Sequence, residues 1–300
     1  MLDCKIKKSE DCVLIEVGNW LHTSELEIRK INGKVSTSCI TKVKDIHIHS
    51  RHYSDCLLRK DDIILISEAA SDIAGMLSFP LEDEKKYYYV PISQVLGFFR
   101  KETLSLANLE LLYDKILIEK INTGIYNGIA IPNSHEMIGR VIKIGTHKFT
   151  KEWESIPLEV QIGDIVVLKD NVSTPVRFEN KEYYIAEEKN VVGIFKREQA
   201  LNTEDIKFIN KYILMKSYYP KKVLNSTVLE TPNINYEDLD YSDVYNRNLF
   251  QIKYLDKENE NLKQEDVVLV SRDYTNYVYL NQEKYFLLDG ERWVAARIKE

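Results

Sequence analysis

Ile162-Gly-Asp-Ile-Val-Val-Leu-Lys169 is the stretch from which the chain is best read outward. Two others share its form: Lys60-Asp-Asp-Ile-Ile-Leu-Ile-Ser67 and Gln264-Glu-Asp-Val-Val-Leu-Val-Ser271. In each, an aspartate precedes four apolar, mostly β-branched residues, the composition of a strand that crosses a core. The aspartates are Asp62, Asp164 and Asp266, so the intervals are 164 − 62 = 102 and 266 − 164 = 102. An equal spacing found twice marks an internal repeat. Gly163, just before Asp164, is expected at positive φ in a tight turn, with the aspartate bonding nearby backbone amides.

The flanks repeat as well. Downstream of each stretch lies an aromatic strand and then an apolar one, at Tyr87–Phe99, Tyr183–Phe195 and Tyr285–Ile298. Upstream, an apolar run opens the unit at Val13–Val17, Lys115–Lys120 and Tyr212–Lys216. A second run follows at Cys39–Val43, Arg140–Gly145 and Phe250–Leu255. Short β-prone runs separated by turn residues, with no long 3.6-period pattern, predict an all-β protein of three small barrels in tandem. The borders fall in the polar stretches Arg100–Glu110 and Lys196–Lys207, each able to hold a short helical turn and neither rich in Pro or Gly. That predicts domains of residues 1–100, 101–200 and 201–300 joined by short ordered linkers.

Composition excludes several classes. Of 300 residues, 44% are apolar and 29% charged, as in an ordinary globular protein. A formal charge of −6 argues against a nucleic-acid surface covering the molecule. No apolar run approaches the roughly 18 residues that span a bilayer, so no membrane partner is expected. The start, Met1-Leu-Asp-Cys-Lys, lacks the apolar core of a signal peptide. The four cysteines, Cys4, Cys12, Cys39 and Cys56, form no CxxC pair and read as reduced thiols of a cytoplasmic protein.

The middle repeat carries a family pattern. It runs Leu112-Tyr-Asp-Lys-Ile-Leu-Ile-Glu-Lys120, Asn127-Gly-Ile-Ala-Ile-Pro132, Ile138-Gly-Arg-Val-Ile-Lys-Ile-Gly145, the Gly163-Asp164 turn, and a closing pair ending at Phe195. In that order the segments resemble the GroES-type co-chaperonins, from about Leu111 to Lys196. The outer repeats keep the turn and the closing strands but little of the loop, so their resemblance is inherited through the repeat. The resemblance implies three tandem GroES-like β-barrels. It also implies a mobile loop at about 121–138 in which Gly128 precedes an apolar tripeptide, Ile129, Ala130 and Ile131, that docks on the apical domains of a chaperonin ring. Packing of Ile129 and Ile131 on their own barrel is the alternative reading. Repeat three offers a second loop with Val228-Leu229, followed by an acidic insertion at about 230–248. In repeat one, the alternation of Leu26-Glu-Ile-Arg-Lys-Ile31 reads as a strand rather than an anchor.

Catalytic chemistry is not indicated. The chain has no P-loop, no GxSxG and no GxGxxG. Asp45, His47, His49, His52, Asp55 and Cys56 could supply metal ligands, but polar residues at a strand end are the commoner explanation. The reading is therefore a non-enzymatic co-chaperonin with no cofactor and no metal. The resembled family closes rings of seven, which three repeats per chain do not divide. The alternative is a phage or virion assembly protein that reuses the fold without a chaperonin. The same resemblance pairs the closing strand of one unit with the opening strand of the next. It thus predicts free edges at Val13–Val17 and Trp293–Ile298, and a homo-oligomer built through them.

Overall fold

The structure, a computed structural model, describes residues 11–18, 20–21, 26–29, 35–36, 39–48, 53, 55–80, 85–121, 125–126, 129–130, 137–150, 152–169, 173–179, 181–195, 206–218, 249–255, 262–270, 276–280, 283–289 and 294–298. Up to Phe99 the strands are β1 (Cys12–Glu16), β2 (Leu26–Arg29), β3 (Val35–Ser36), β4 (Ile40–His47), β5 (Ile63–Ile66), β6 (Phe79–Pro80), β7 (Lys86–Pro91) and β8 (Val95–Phe99). Then come β9 (Glu110–Leu111), β10 (Lys115–Lys120), β11 (Ile125–Tyr126), β12 (Ile129–Ala130), β13 (Met137–Ile144), β14 (Lys148–Phe149) and β15 (Ser155–Ile156). They are followed by β16 (Ile165–Leu168), β17 (Thr174–Phe178), β18 (Lys181–Glu187) and β19 (Val191–Phe195). The last seven are β20 (Lys207–Phe208), β21 (Tyr212–Ser217), β22 (Leu249–Tyr254), β23 (Val267–Val270), β24 (Asn276–Leu280), β25 (Glu283–Asp289) and β26 (Val294–Ile298).

Among the described residues one α-helix, α1 (Glu68–Leu77), interrupts the β pattern. Ser67 caps it by accepting a hydrogen bond from the Ala70 amide, and the buried face is only Ala70, Ser71 and Ala74. No helix among the described residues is long and apolar enough to cross a membrane.

The chain forms two compact units. The first comprises Met1–Lys120, Gly139–Gly163 and Val172–Glu188. It holds a sheet of order β6-β7-β1-β4-β5-β8-β9 and a run of order β13-β10-β18-β17-β2-β3. Its core is one cluster that includes Ile64, Phe98, Phe99, Leu117 and Phe178. Glu188 is fully buried there, its carboxylate 2.7 Å from Lys148 Nζ and accepting from the Val160 amide at 2.9 Å. The second unit comprises Ile121–Ile138, Asp164–Asn171 and Lys189–Glu300. It holds β24-β25-β21-β22-β23-β26, the run β20-β19-β16 and the hairpin β11–β12, around two apolar clusters. These strand orders are open, and no closed barrel is found among the described residues.

The turn read from the sequence recurs with the same geometry. In the first unit the residue before the aspartate is left-handed at Asp61 (φ 70°) and Gly163 (φ 90°). Its amide donates to Val43 O at 2.9 Å and to Val141 O at 2.8 Å respectively. In the second unit Glu265 (φ 72°) donates to Ile252 O at 2.7 Å. The aspartates bond back as expected: Asp62 Oδ2 accepts from the Arg59 amide at 2.7 Å, and Asp266 Oδ2 from the Lys263 amide at 2.8 Å. Glycine at position 163 meets the positive φ at no steric cost, whereas Asp61 and Glu265 bear a Cβ in the same conformation. A register shift also recurs in the pairing of β1 with β4 after Leu14, of β10 with β13 after Leu117, and of β21 with β22 after Leu214.

The junctions differ from the expectation. Opening strands are interior: β1 lies between β7 and β4, and β10 between β18 and β13. Val13–Val17 is therefore not a free edge, because both of its sides are already paired. The closing strand β8 instead takes the two-residue strand β9, with Gly97 opposite Leu111. Likewise β19 takes β20, with Gly193 opposite Phe208. Glycine is needed at this crossing: a Cβ on Gly97 would stand 2.7 Å from Glu110 O, and one on Gly193 2.5 Å from Ile206 Cδ1. A short helical turn, Leu106–Asn108, does occupy the first linker, while 196–205 lies outside the described residues.

Candidate functional site

The candidate anchor falls in the hairpin β11–β12, where Ile125 stands opposite Ala130 and Tyr126 opposite Ile129. Its two-residue connection is Asn127-Gly128. Two-residue hairpins favour that dipeptide because both central positions take φ > 0. Read from sequence the segment is a loop; the Asn-Gly between apolar pairs is the signal that marks it as a hairpin. Ile129 and Ala130 are thus strand residues. Gly128 and Ile131 lie outside the described residues, as do Val228, Leu229 and the acidic stretch 230–248.

The stem of this hairpin is anchored. The Ile121 amide donates to Ile138 O at 3.1 Å. Ile138 is 1% exposed and packs in one cluster with Ile165, Val192 and Phe195, and half-buried Ile121 lies against the same cluster. From Ile121 to Ile138 the only acid is Glu136, and there is no Lys or Arg. A short hairpin rich in isoleucine on a fixed stem can enter an apolar groove or extend a partner's sheet.

Other titratable clusters are structural. His47 sits on β4, with Nε2 3.2 Å from Asp45 Oδ2 and its ring edge-on to Tyr89 at 5.2 Å. His49 and His52 lie outside the described residues, and no group of three metal-competent side chains occurs among those described. Tyr53, Tyr113, His147 and Phe149 form an aromatic nest with centroid separations of 4.8 to 5.7 Å. His147 Nδ1 lies 3.0 Å from Thr146 Oγ1, and its Nε2 is 3.6 Å from Asp55. Burial pushes the Tyr113 phenol well above its ordinary range, and the neighbouring Cys56 thiol pushes it further. Burial likewise pushes the Cys56 thiol up, the opposite of an activated nucleophile. Cys12, Cys39 and Cys56 form no disulfide.

Comparison with known proteins bears on the middle of the chain. Residues 108–195 match the family described as Chaperonin 10 Kd subunit. The chain is similar to the Co-chaperonin GroES of Halalkalibacterium halodurans, 34% identical over 91 residues that are 29% of this chain and 97% of that relative. The GroES of Shouchella clausii gives the same figures. That of Geobacter sulfurreducens is 29% identical over 92 residues, again 97% of its length. Under a third of this chain thus spans almost the whole of these relatives, and the matched segment includes both the hairpin and the Gly163 turn.

Proposed function

Because the chain belongs to the Chaperonin 10 Kd subunit family through residues 108–195, we propose that it is a co-chaperonin that docks on the apical domains of a GroEL-type chaperonin. In this reading it caps or modulates an ATP-driven ring and has no catalytic activity or cofactor of its own. The observation that carries it is the anchored, apolar hairpin β11–β12 inside the segment that matches the family. The anchors are Gly128, Ile129, Ala130 and Ile131, with Val228-Leu229 as a second loop. GroES relatives give the virion-assembly alternative no support of its own.

The proposal extends to the whole chain. Residues 1–100, 101–200 and 201–300 act as three GroES-like repeats. The recurrent left-handed turn at Asp61, Gly163 and Glu265 and the recurrent register shift support this reading. Energetics favour several anchors on one assembly. Burying two isoleucines and an alanine gains about 4 kcal/mol, at roughly 1.5–3 kcal/mol per large side chain. Ordering a loop costs roughly 1–2 kcal/mol per residue, a cost that a preformed hairpin reduces. One anchor alone binds weakly, and linked anchors multiply the effect. Among the described residues the strand β26 stands at the end of its sheet, an edge through which copies can associate. Pull-down on a purified GroEL-type ring tests the function. ATP-dependent capture of the full chain is expected, and no capture with or without ATP overturns the proposal.

A further inference from the structure

The hairpin β17–β18 has an outer edge, and in the middle repeat that edge is occupied. Strand β2 lies on it antiparallel, with Val176 opposite Ile28, Arg177 opposite Glu27 and Phe178 opposite Leu26. The two segments are about 150 residues apart in the chain, so nothing local in sequence brings them together. The contact is dry on the side that is described. Leu26 and Phe178 are each 2% exposed and Val176 has no exposure, all within one apolar cluster. The Phe178 ring meets Tyr183 at 6.1 Å and Phe99 at 6.4 Å. The pairing also has a natural limit. It stops at Val176, next to Pro175, which lacks the N–H a further ladder bond would use.

The place of β2 in its own repeat gives this meaning. Between the opening strand and the second long strand, repeat one has the hairpin β2–β3, with Ile28 opposite Ser36 and Arg29 opposite Val35. The middle repeat has the hairpin β11–β12 in the same position. Counterparts of β17 in the outer repeats are β6 and β24, each paired to the next strand of its own hairpin and each standing at the end of its sheet.

We infer that the outer edge of β17 is a strand-acceptor site for an extended apolar–acidic–apolar segment, and that Leu26–Arg29 is its resident ligand. The site works as an internal tether: the loop hairpin of repeat one is held on the middle repeat by main-chain pairing, with alternate apolar residues giving specificity. The register places residue types of opposite charge, Arg177 and Glu27, at directly opposed positions, an arrangement that favours this alignment over a slipped one. The tether stands independently of any chaperonin. One consequence does rest on the proposed function: the first hairpin is withheld from the ring, and the middle one is presented.

Two measurements on the full chain test the inference. In the first, Glu27→Cys combined with Arg177→Cys places thiols on directly opposed strand positions, whose Cα atoms lie within disulfide reach of roughly 4.5–5.5 Å. Mild oxidation and peptide mass mapping should recover the 27–177 link within one chain; its absence overturns the tether. In the second, Leu26→Asp with Ile28→Asp vacates the edge. A fluorescein-labelled peptide of residues 22–31 should then bind at least tenfold more tightly to this variant than to wild type. Peptide carrying Glu27→Arg should bind more weakly, and Arg177→Glu in the vacated chain should restore it. Equal binding of the peptide to vacated and wild-type chains overturns the acceptor site. The oxidised 27–177 chain should be captured by the ring as wild type is. If wild type is captured and the locked chain is not, the first hairpin is itself an anchor and the withholding is wrong.

Discussion

Replacing Glu188 tests whether a buried ion pair braces the segment between β13 and β16. Glu188 has no exposed surface, its carboxylate lies 2.7 Å from Lys148 Nζ, and it accepts from the Val160 amide at 2.9 Å. Glu188→Ala takes the acceptor from a fully buried Val160 amide and one of two carboxylates from the Lys148 ammonium, whose side chain is only 18% exposed. Breaking one partner of a buried pair costs roughly 3–5 kcal/mol. Lys148 keeps a second carboxylate, Glu159 at 3.0 Å, which places the expected loss at the lower end, about 3 kcal/mol. Glu188→Gln retains an acceptor for Val160 and should cost about 1–2 kcal/mol. The double variant Glu188→Ala with Lys148→Met removes the half-compensated cation and should recover part of the loss. Urea unfolding, followed by tryptophan fluorescence at constant m, reads all three. Glu188→Ala within about 0.5 kcal/mol of wild type, the error of such comparisons, would refute the reasoning.

Three further outcomes are expected. At the recurrent turn, Asp61→Gly should stabilise and Gly163→Ala should destabilise, each by about 1 kcal/mol, because a Cβ is strained at φ 70–90°; thermal denaturation giving the same sign at both sites contradicts this. Burial alone would raise the Glu16 carboxyl, but Lys44 and Lys85, each 3.1 Å away, outweigh it and hold the group below the usual glutamate range. Its stabilisation is therefore full above the unfolded-state value and lost as pH falls through the lowered folded-state value. Glu16→Gln should be less stable than wild type at pH 7 and converge with it in that acid window, and a gap that widens as pH falls is the wrong result. If copies associate through β26, Ala296→Glu at its edge should reduce the light-scattering mass to that of a monomer, and an unchanged mass rules that edge out.

What the sequence made legible is what local stereochemistry decides. The turn before each core strand needs a left-handed residue and a back-bonding aspartate, so Asp62, Asp164 and Asp266 could be aligned from spacing alone. The family pattern of residues 108–195 was readable because its motifs are collinear. Helix α1 was missed because Glu68–Leu77 buries only Ala70, Ser71 and Ala74, too small to leave an apolar stripe. The hairpin at Ile129 was missed although Asn127-Gly128 announced it. Strands β9 and β20, two residues each, carry no periodicity, so their pairing to β8 and β19 was assigned to the longer strands that follow. The pairing of β2 with β17 is non-local, and no window of sequence encodes it.

The central claim is that β11–β12 engages a chaperonin as a co-chaperonin loop does. Displacement of a labelled single-domain GroES from an ATP-bound GroEL-type ring tests it most directly. Wild-type chain should displace the label in proportion to its concentration. Ile129→Asp should not, while unfolding at the same temperature as wild type, because the hairpin tip contributes little to global stability. No displacement by wild type at hundredfold excess, or equal displacement by Ile129→Asp, would contradict the account.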